Sequence, residues 1–312
     1  MTSGTRPLLA TLMISACFAG PALAEYPERP VTLIEPWPPG DVDDQLLRVI
    51  AEEFTKETGV PAKVVNRPGG YGVEGAQSVL SSPADGYTVG NFLIDIPTSY
   101  IVQGIAPYAA DDMEVVGLNV NFPFILAARK DAPYSNLAEL AAYAKSNPVR
   151  LAHFGFETIP AQQTFEAARQ LGFEFSTETG YDVTDCTTLA NGDADVMNTT
   201  AGLILACKDD IKVIAAYTEG PLSVFPDAPL LRDQITGPTF ALWSGLFVPK
   251  GTPQEVKDKL AAIAEKAMQS DQARQIAEAT GAEIYWQDEA EAKARIEADF
   301  KAVTELFAKM PK

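Results

Sequence analysis

Short apolar runs closed by Pro or Gly alternate with apolar stripes at helical spacing along most of this chain, and that alternation constrains its fold more than any other feature. Val31-Thr32-Leu33-Ile34 runs into Pro36-Trp37-Pro38-Pro39-Gly40, after which Leu46, Leu47, Ile50 and Phe54 predict a helix ending at Gly59. Ala62 to Asn66 reads as a second strand, followed by the loop Asn66-Arg67-Pro68-Gly69-Gly70. Val73, Ala76 and Leu80 mark one face of a second helix, and the Asp85-Gly86 turn leads into a third strand, Tyr87 to Phe92. This βαβαβ order predicts a mostly parallel sheet with ligand chemistry at the carboxyl ends of its strands.

A second series of the same kind runs through Phe124 to Arg129, Leu151 to Phe154, a helix from Ala161 to Leu171, Ala194 to Met197 and Lys212 to Tyr217. Leu246-Phe247-Val248 then leads to Thr252-Pro253-Gln254-Glu255, which reads as a capping box with Pro at the first helical position and Val256, Leu260 and Ile263 inward. A last helix, from Glu289 to about Met310, puts Ile296, Phe300, Val303 and Phe307 on one stripe. With 312 residues, 46% of them hydrophobic, the chain can build one large or two ordinary domains. An excess of 42 Asp and Glu over 24 Lys and Arg, a formal charge of -18, argues against nucleic acid as a partner.

Residues 1–24 read as a secretory signal peptide: a short basic start at Arg6, an apolar run from Leu8 to Phe18, and Ala22-Leu23-Ala24 before Glu25. Ile14-Ser15-Ala16-Cys17 also resembles a bacterial lipobox, which offers lipid anchoring at Cys17 as a second route. No later segment has the roughly 20 apolar residues a membrane span needs. Beyond the leader only Cys186 and Cys207 remain, and in an exported chain such a pair points to a disulfide, with two buried thiols as the plain alternative.

Catalytic signatures are scarce. The sole histidine, His153, ends an apolar run and reads as a structural imidazole, and neither a G-x-S-x-G elbow, an H-E-x-x-H helix nor a C-x-x-C pair occurs. Gly69-Gly70-Tyr71-Gly72 lacks both the P-loop Lys and the dinucleotide-binding spacing, so no cofactor is implied. The loop Glu35 to Arg48 differs in kind. Its prolines and Trp37 place a rigid, aromatic-lined segment at a helix N-terminus, where backbone N–H groups suit an anion.

Together with Asn66-Arg67-Pro68-Gly69-Gly70, Pro83 to Thr88, Pro226-Asp227-Ala228-Pro229 and Trp243 to Pro253, this loop resembles the Bug/TctC family, the exported solute-binding proteins of tripartite tricarboxylate transporters. The resemblance spans nearly the whole chain from Tyr26-Pro27 onward. It implies a two-domain, α/β periplasmic-binding-protein fold of type II-like order with a ligand cleft between the domains. Domain one is then 25–123 with 248–312, and domain two 124–247. A small organic solute, the transporter's membrane subunits, a periplasmic location and a monomeric receptor are implied with it. Presentation of the solute to a sensor protein is an alternative within binding.

The family's first loop usually holds a carboxylate through a second Gly and small hydroxyl residues, whereas this chain has Asp41, Val42 and Asp43 there, then the expected Asp44. Asp182 and Val183 follow Tyr181 where Lys-Gly is frequent, and Gln162-Gln163 stand where His is frequent. Like charges about 4 Å apart repel by several kcal/mol at an effective dielectric near 20, so these acids disfavour a dicarboxylate. One reading is a cationic or zwitterionic solute with Trp37, Phe156 or Tyr181 giving apolar or cation-π contact. The other makes Asp41 an N-cap and leaves Asp43 and Asp44 in the first helical turn, facing solvent or backbone. A divalent metal accompanying an acid solute is a third. Pro38, Gly40, Asn91, Asp95, Thr158 and Asn198, with Thr199, complete the expected binding set, while Asp195 and Arg67 read as structural. The reading from another class is an exported hydrolase or metal-dependent enzyme using Asp41, Asp43 and Asp182.

Overall fold

The computed structural model describes Met1 and residues 26–308; the rest of the proposed leader, and Met310 where the last helix was expected to end, lie outside the described residues. In the first lobe β1 (Val31–Glu35), α1 (Val42–Thr58), β2 (Ala62–Asn66), α2 (Val73–Leu80), β3 (Thr88–Leu93), α3 (Ser99–Val102) and β4 (Met113–Asn121) follow in order. The second lobe runs β5 (Phe124–Arg129), α4 (Leu137–Ala144), β6 (Arg150–His153), α5 (Ile159–Leu171), β7 (Thr177–Gly180), α6 (Cys186–Ala190), β8 (Val196–Thr200), α7 (Ala201–Ile204) and β9 (Ile211–Ala216). The chain returns through β10 (Trp243–Pro249), α8 (Gln254–Met268), α9 (Asp271–Thr280), β11 (Glu283–Gln287) and α10 (Glu289–Phe307).

The six-stranded sheet of lobe one has the order β11-β4-β10-β3-β1-β2, and the five-stranded sheet of lobe two β7-β6-β8-β5-β9. Superimposing β1 on β6 makes the two orders match: second strand, first, third, a returning strand, then the fourth. In each sheet the first three strands run parallel, and the strand that has just arrived from the other lobe, β5 or β10, lies antiparallel beside the third. The sheets are therefore mixed rather than mostly parallel. Strand register explains the layering. Along β5, β6 and β8, Leu126, Ala128, Leu151 and Val196 join one core while Ile125, Ala127, Ala152 and Met197 join another, so helices cover both faces.

Two segments cross between the lobes. Phe122-Pro123 carries the chain out, and the stretch before Trp243 carries it back; Phe122 N donates to Leu242 O at 2.7 Å where they meet. β10 pairs with β3 and β4 from Trp243 onward, so residues 243–247, expected in the second domain, belong to the sheet of the first. The anticipated capping box also differs. Thr252 Oγ donates to Pro249 O, which leaves Pro253 as the N-cap and Gln254 as the first helical residue. Cys186 and Cys207 form a disulfide with an S–S distance of 2.03 Å, tying the start of α6 to the segment before β9.

Candidate functional site

The segments after β3 and β6 meet where the lobes touch, through Asp95 with Ile159; Tyr71, after β2, meets Gly155 there, and Gly72 packs beside Trp37 of the loop after β1 and Ile96 of the loop after β3. Their local geometry follows from sequence. Asp41 is the N-cap of α1, accepting from Val42 N at 2.7 Å, and Gly40, whose φ of 107° suits a residue without Cβ, donates its N–H to Asp44 Oδ2 at 3.0 Å. Burial would raise Asp44, but bonds from Arg48, Asn66 and Gly40 outweigh it and hold its carboxyl below the usual range. Trp37 is half-buried and its carbonyl accepts from Asn66 Nδ2 at 3.0 Å, while Pro38 is exposed.

Asp43 does not face solvent. It is 3% exposed, and Ser244 Oγ of β10 donates to its Oδ2 at 2.9 Å. Burial, reinforced by the charge of Asp41, pushes its carboxyl up to about 8. Beneath it lies a group the sequence reading missed: Glu35, fully buried at the end of β1, accepts from Asn91 Nδ2 at 2.9 Å, and Asn119 reaches Asn91 Oδ1 at 3.4 Å. Burial and the neighbouring Asp43 hold Glu35 well above the ordinary carboxyl range. Val42 and Asn91 thus support the loop from inside lobe one. The one sequence sign of this network was a charged residue closing an otherwise apolar strand.

Across the junction, Thr158 caps no helical N–H: its hydroxyl donates to Gly155 O at 2.8 Å. The first N–H of α5, that of Ile159, instead donates at 2.8 Å to Asp95 Oδ1 from lobe one, which also accepts from Ser99 Oγ at 3.0 Å. Burial raises the Asp95 carboxyl to about 6, although these bonds oppose it. Asp95 Oδ2 is buried with no hydrogen-bond partner among the described residues. Gln103 Nε2 donates to Glu157 O at 2.9 Å, a second bond between the lobes. Gly155, with φ 146°, lies so close to Tyr71 that an added Cβ would stand 2.7 Å from the ring. The lobes are closed on one another here.

Other expected residues divide between the lobe interior and the surface. Gln162 is buried and donates through Nε2 to Phe156 O, and Phe156 itself is 49% exposed beside Phe165. Asn198 is buried deep in lobe two, bonded to Thr164 Oγ and to Tyr217 Oη. Tyr181 is half-buried and Asp182 exposed, so the structure does not gather Asp182 with Asp43. Asp195 pairs with Arg150 at 3.0 Å, a structural role. His153 accepts from Gly155 N through Nδ1 at 3.0 Å, and burial lowers its pKa. Among the described residues no three His, Cys, Asp or Glu side chains gather as a metal site. Two cavities, about 380 Å³ beside Tyr108 and Lys250 and about 120 Å³ beside Tyr217 and Arg232, open away from these loops.

Three comparisons place this geometry among known proteins. BugT of Bordetella pertussis is 26% identical over 283 residues, covering 84% of this chain and 84% of its own length. The structure of the periplasmic binding protein BugD superimposes with a TM-score of 0.78 at 25% identity over 91% of this chain and 98% of its own. MatC from Rhodopseudomonas palustris, solved with bound malate, superimposes with a TM-score of 0.77 at 25% identity, over 90% and 99%. The family model described as the tripartite tricarboxylate transporter family receptor, TctC, matches residues 46–310. Matching it over most of its length, the chain belongs to the TctC receptor family.

Proposed function

We propose that the protein is a periplasmic receptor that encloses a small organic solute between its lobes and delivers it intact to the membrane subunits of a tripartite tricarboxylate-type transporter. The observation carrying this reading is the pairing of two sheets of the same strand order, joined by two crossings, with the segments after β3 and β6 in contact between them. Trp37, Gly40 and Asp41 from lobe one and Asp95, Phe156 and Thr158 around the α5 N-terminus contact the solute. Pro38, Tyr181 and Asp182 rim the cleft. Val42, Asp43, Asn91, Gln162 and Asn198 fix those loops from within the lobes. The receptor works as an exported monomer.

Capture tests it directly. The purified protein is incubated with small molecules from a cell extract, washed, and denatured, and the released material is identified by mass spectrometry. A single enriched, chemically unchanged compound that also raises the melting temperature is the expected result. Release of nothing above a heat-denatured control, or release of a product rather than the compound supplied, overturns it.

A further inference from the structure

Charged donors are plentiful at most anion sites, yet the loops of this junction carry none, and Trp37 Nε1 is the one buried side-chain donor of these loops without a partner among the described residues. The loops 36–42, 94–98 and 154–158 contain neither Lys nor Arg. Both helix N-termini that face them are already occupied by the protein's own carboxylates: α1 by Asp41, and α5 by Asp95 reaching over from the other lobe. A solute carboxylate meets helix ends that already carry acids of the protein's own.

Three buried oxygens at the same junction lack a hydrogen-bond partner among the described residues: Asp95 Oδ2, Glu157 Oε2 and the hydroxyl of Tyr100. Asp95 and Tyr100 are both 0% exposed. Tyr100 lies within electrostatic reach of Asp95, Glu157 and Tyr71, and the bond from Ile159 N to Asp95 brings that carboxylate to the segment that carries Glu157. The Glu157 charge, with a side-chain hydrogen bond between the two groups, also acts on the Tyr71 phenol, whose ring rests on Gly155 of the opposite lobe. Leaving buried acceptors unmatched is costly, and a ligand that supplies the missing donors recovers that cost on binding.

We infer that the solute presents a protonated amine to Asp95 and Glu157, with Tyr100 as third acceptor and Tyr71 and Trp37 as aromatic walls. A primary ammonium carries three N–H donors and no acceptor, which matches in number the three unpartnered oxygens. Its single positive charge offsets one of the two carboxylates, and rings alongside add cation-π attraction. This inference rests on the receptor reading and narrows it from an organic solute to one bearing an ammonium group. It also accounts for Asp95 bridging the lobes: one oxygen holds α5 while the other remains for the solute.

Titration calorimetry on the full mature protein decides it, with 1,4-diaminobutane as a plain amine, L-lysine as an amino acid, and malate and adipate as dicarboxylates. Binding of 1,4-diaminobutane or L-lysine is expected, and which of them binds separates a plain amine from a zwitterion. Asp95→Asn keeps an acceptor for Ile159 N while removing the charge, and Glu157→Gln does the same on a loop that is half-exposed. Each substitution weakens amine binding by about tenfold or more, whereas Glu174→Gln, exposed elsewhere on lobe two, leaves it unchanged. Thermal melts of each variant confirm the fold. Binding of malate or adipate without the amines, amine binding indifferent to both substitutions, or no binding by any of the four overturns the inference. A captured solute lacking a basic nitrogen removes the ammonium and leaves the receptor standing; an empty capture removes the receptor itself.

Discussion

A carboxyl group removed from water prefers to keep its proton, and Asp43 obeys that preference under the Ser244 hydroxyl. Its folded pKa of about 8 lies far above the unfolded value of about 3.9, so the folded chain binds this proton more tightly. The sign follows: its stabilising contribution is complete below about pH 4 and is lost as pH rises through about 8. Glu35 acts in the same direction, and Asp95 over a window ending near its own pKa of about 6. The melting temperature is therefore expected to fall between about pH 5 and about pH 8, and Asp43→Asn, neutral throughout, to flatten that fall. A wild-type profile already flat across this range contradicts the assignment. Asp41 was legible as an N-cap because its chemistry is local. The burial of Asp43 was not, since its partner lies 201 positions away. Asp95 bonding to Ile159, 64 positions on, is the same kind of information.

Among the elements, β10 is the most constrained, being wedged between β3 and β4. A Cβ at Gly245 would stand 2.5 Å from Gly117 O, a backbone atom that cannot rotate aside. Gly245→Ala is expected to destabilise the protein by about 2 kcal/mol, read by urea denaturation; an unchanged midpoint contradicts the packing. Asp288 caps α10 by accepting from Ala290 N and Glu291 N, and Asp288→Ala should cost about 1 kcal/mol in the same assay. β1, β2, β5 and α1 were readable from apolar spacing and turn residues. β4 was not, because Gly117, Asn119 and Asn121 interrupt its apolar pattern although the strand is buried. β7 is four exposed residues, and its place comes from pairing with β6. On α10 the buried residues are Ala292, Val303 and Leu306, with Ile296, Phe300 and Phe307 only half-buried, a small rotation from the expected stripe.

For the molecule as a whole, the repeated strand and helix series was visible and the two-lobe plan came with the family resemblance, whereas the pairing that returns β10 to lobe one depends on contacts no local pattern encodes. The disulfide belongs wholly to lobe two, closing a loop whose ends are 21 positions apart. Replacing both cysteines by Ser should cost about 3 kcal/mol on the chain-entropy model. Denaturation followed by fluorescence is expected to show that loss, and an unchanged midpoint to exclude a stabilising role.

Lobe two is one uninterrupted stretch of chain, but lobe one is assembled from both ends of the polypeptide, with β10 at the centre of its sheet. Order of synthesis and order of completion must then differ. As the polypeptide emerges, the inserted lobe has all its strands while the first-made lobe still lacks its middle one, and β3 and β4 wait as unpaired edges until Trp243 to Pro249 arrives. The earliest residues to appear are among the last to be secured.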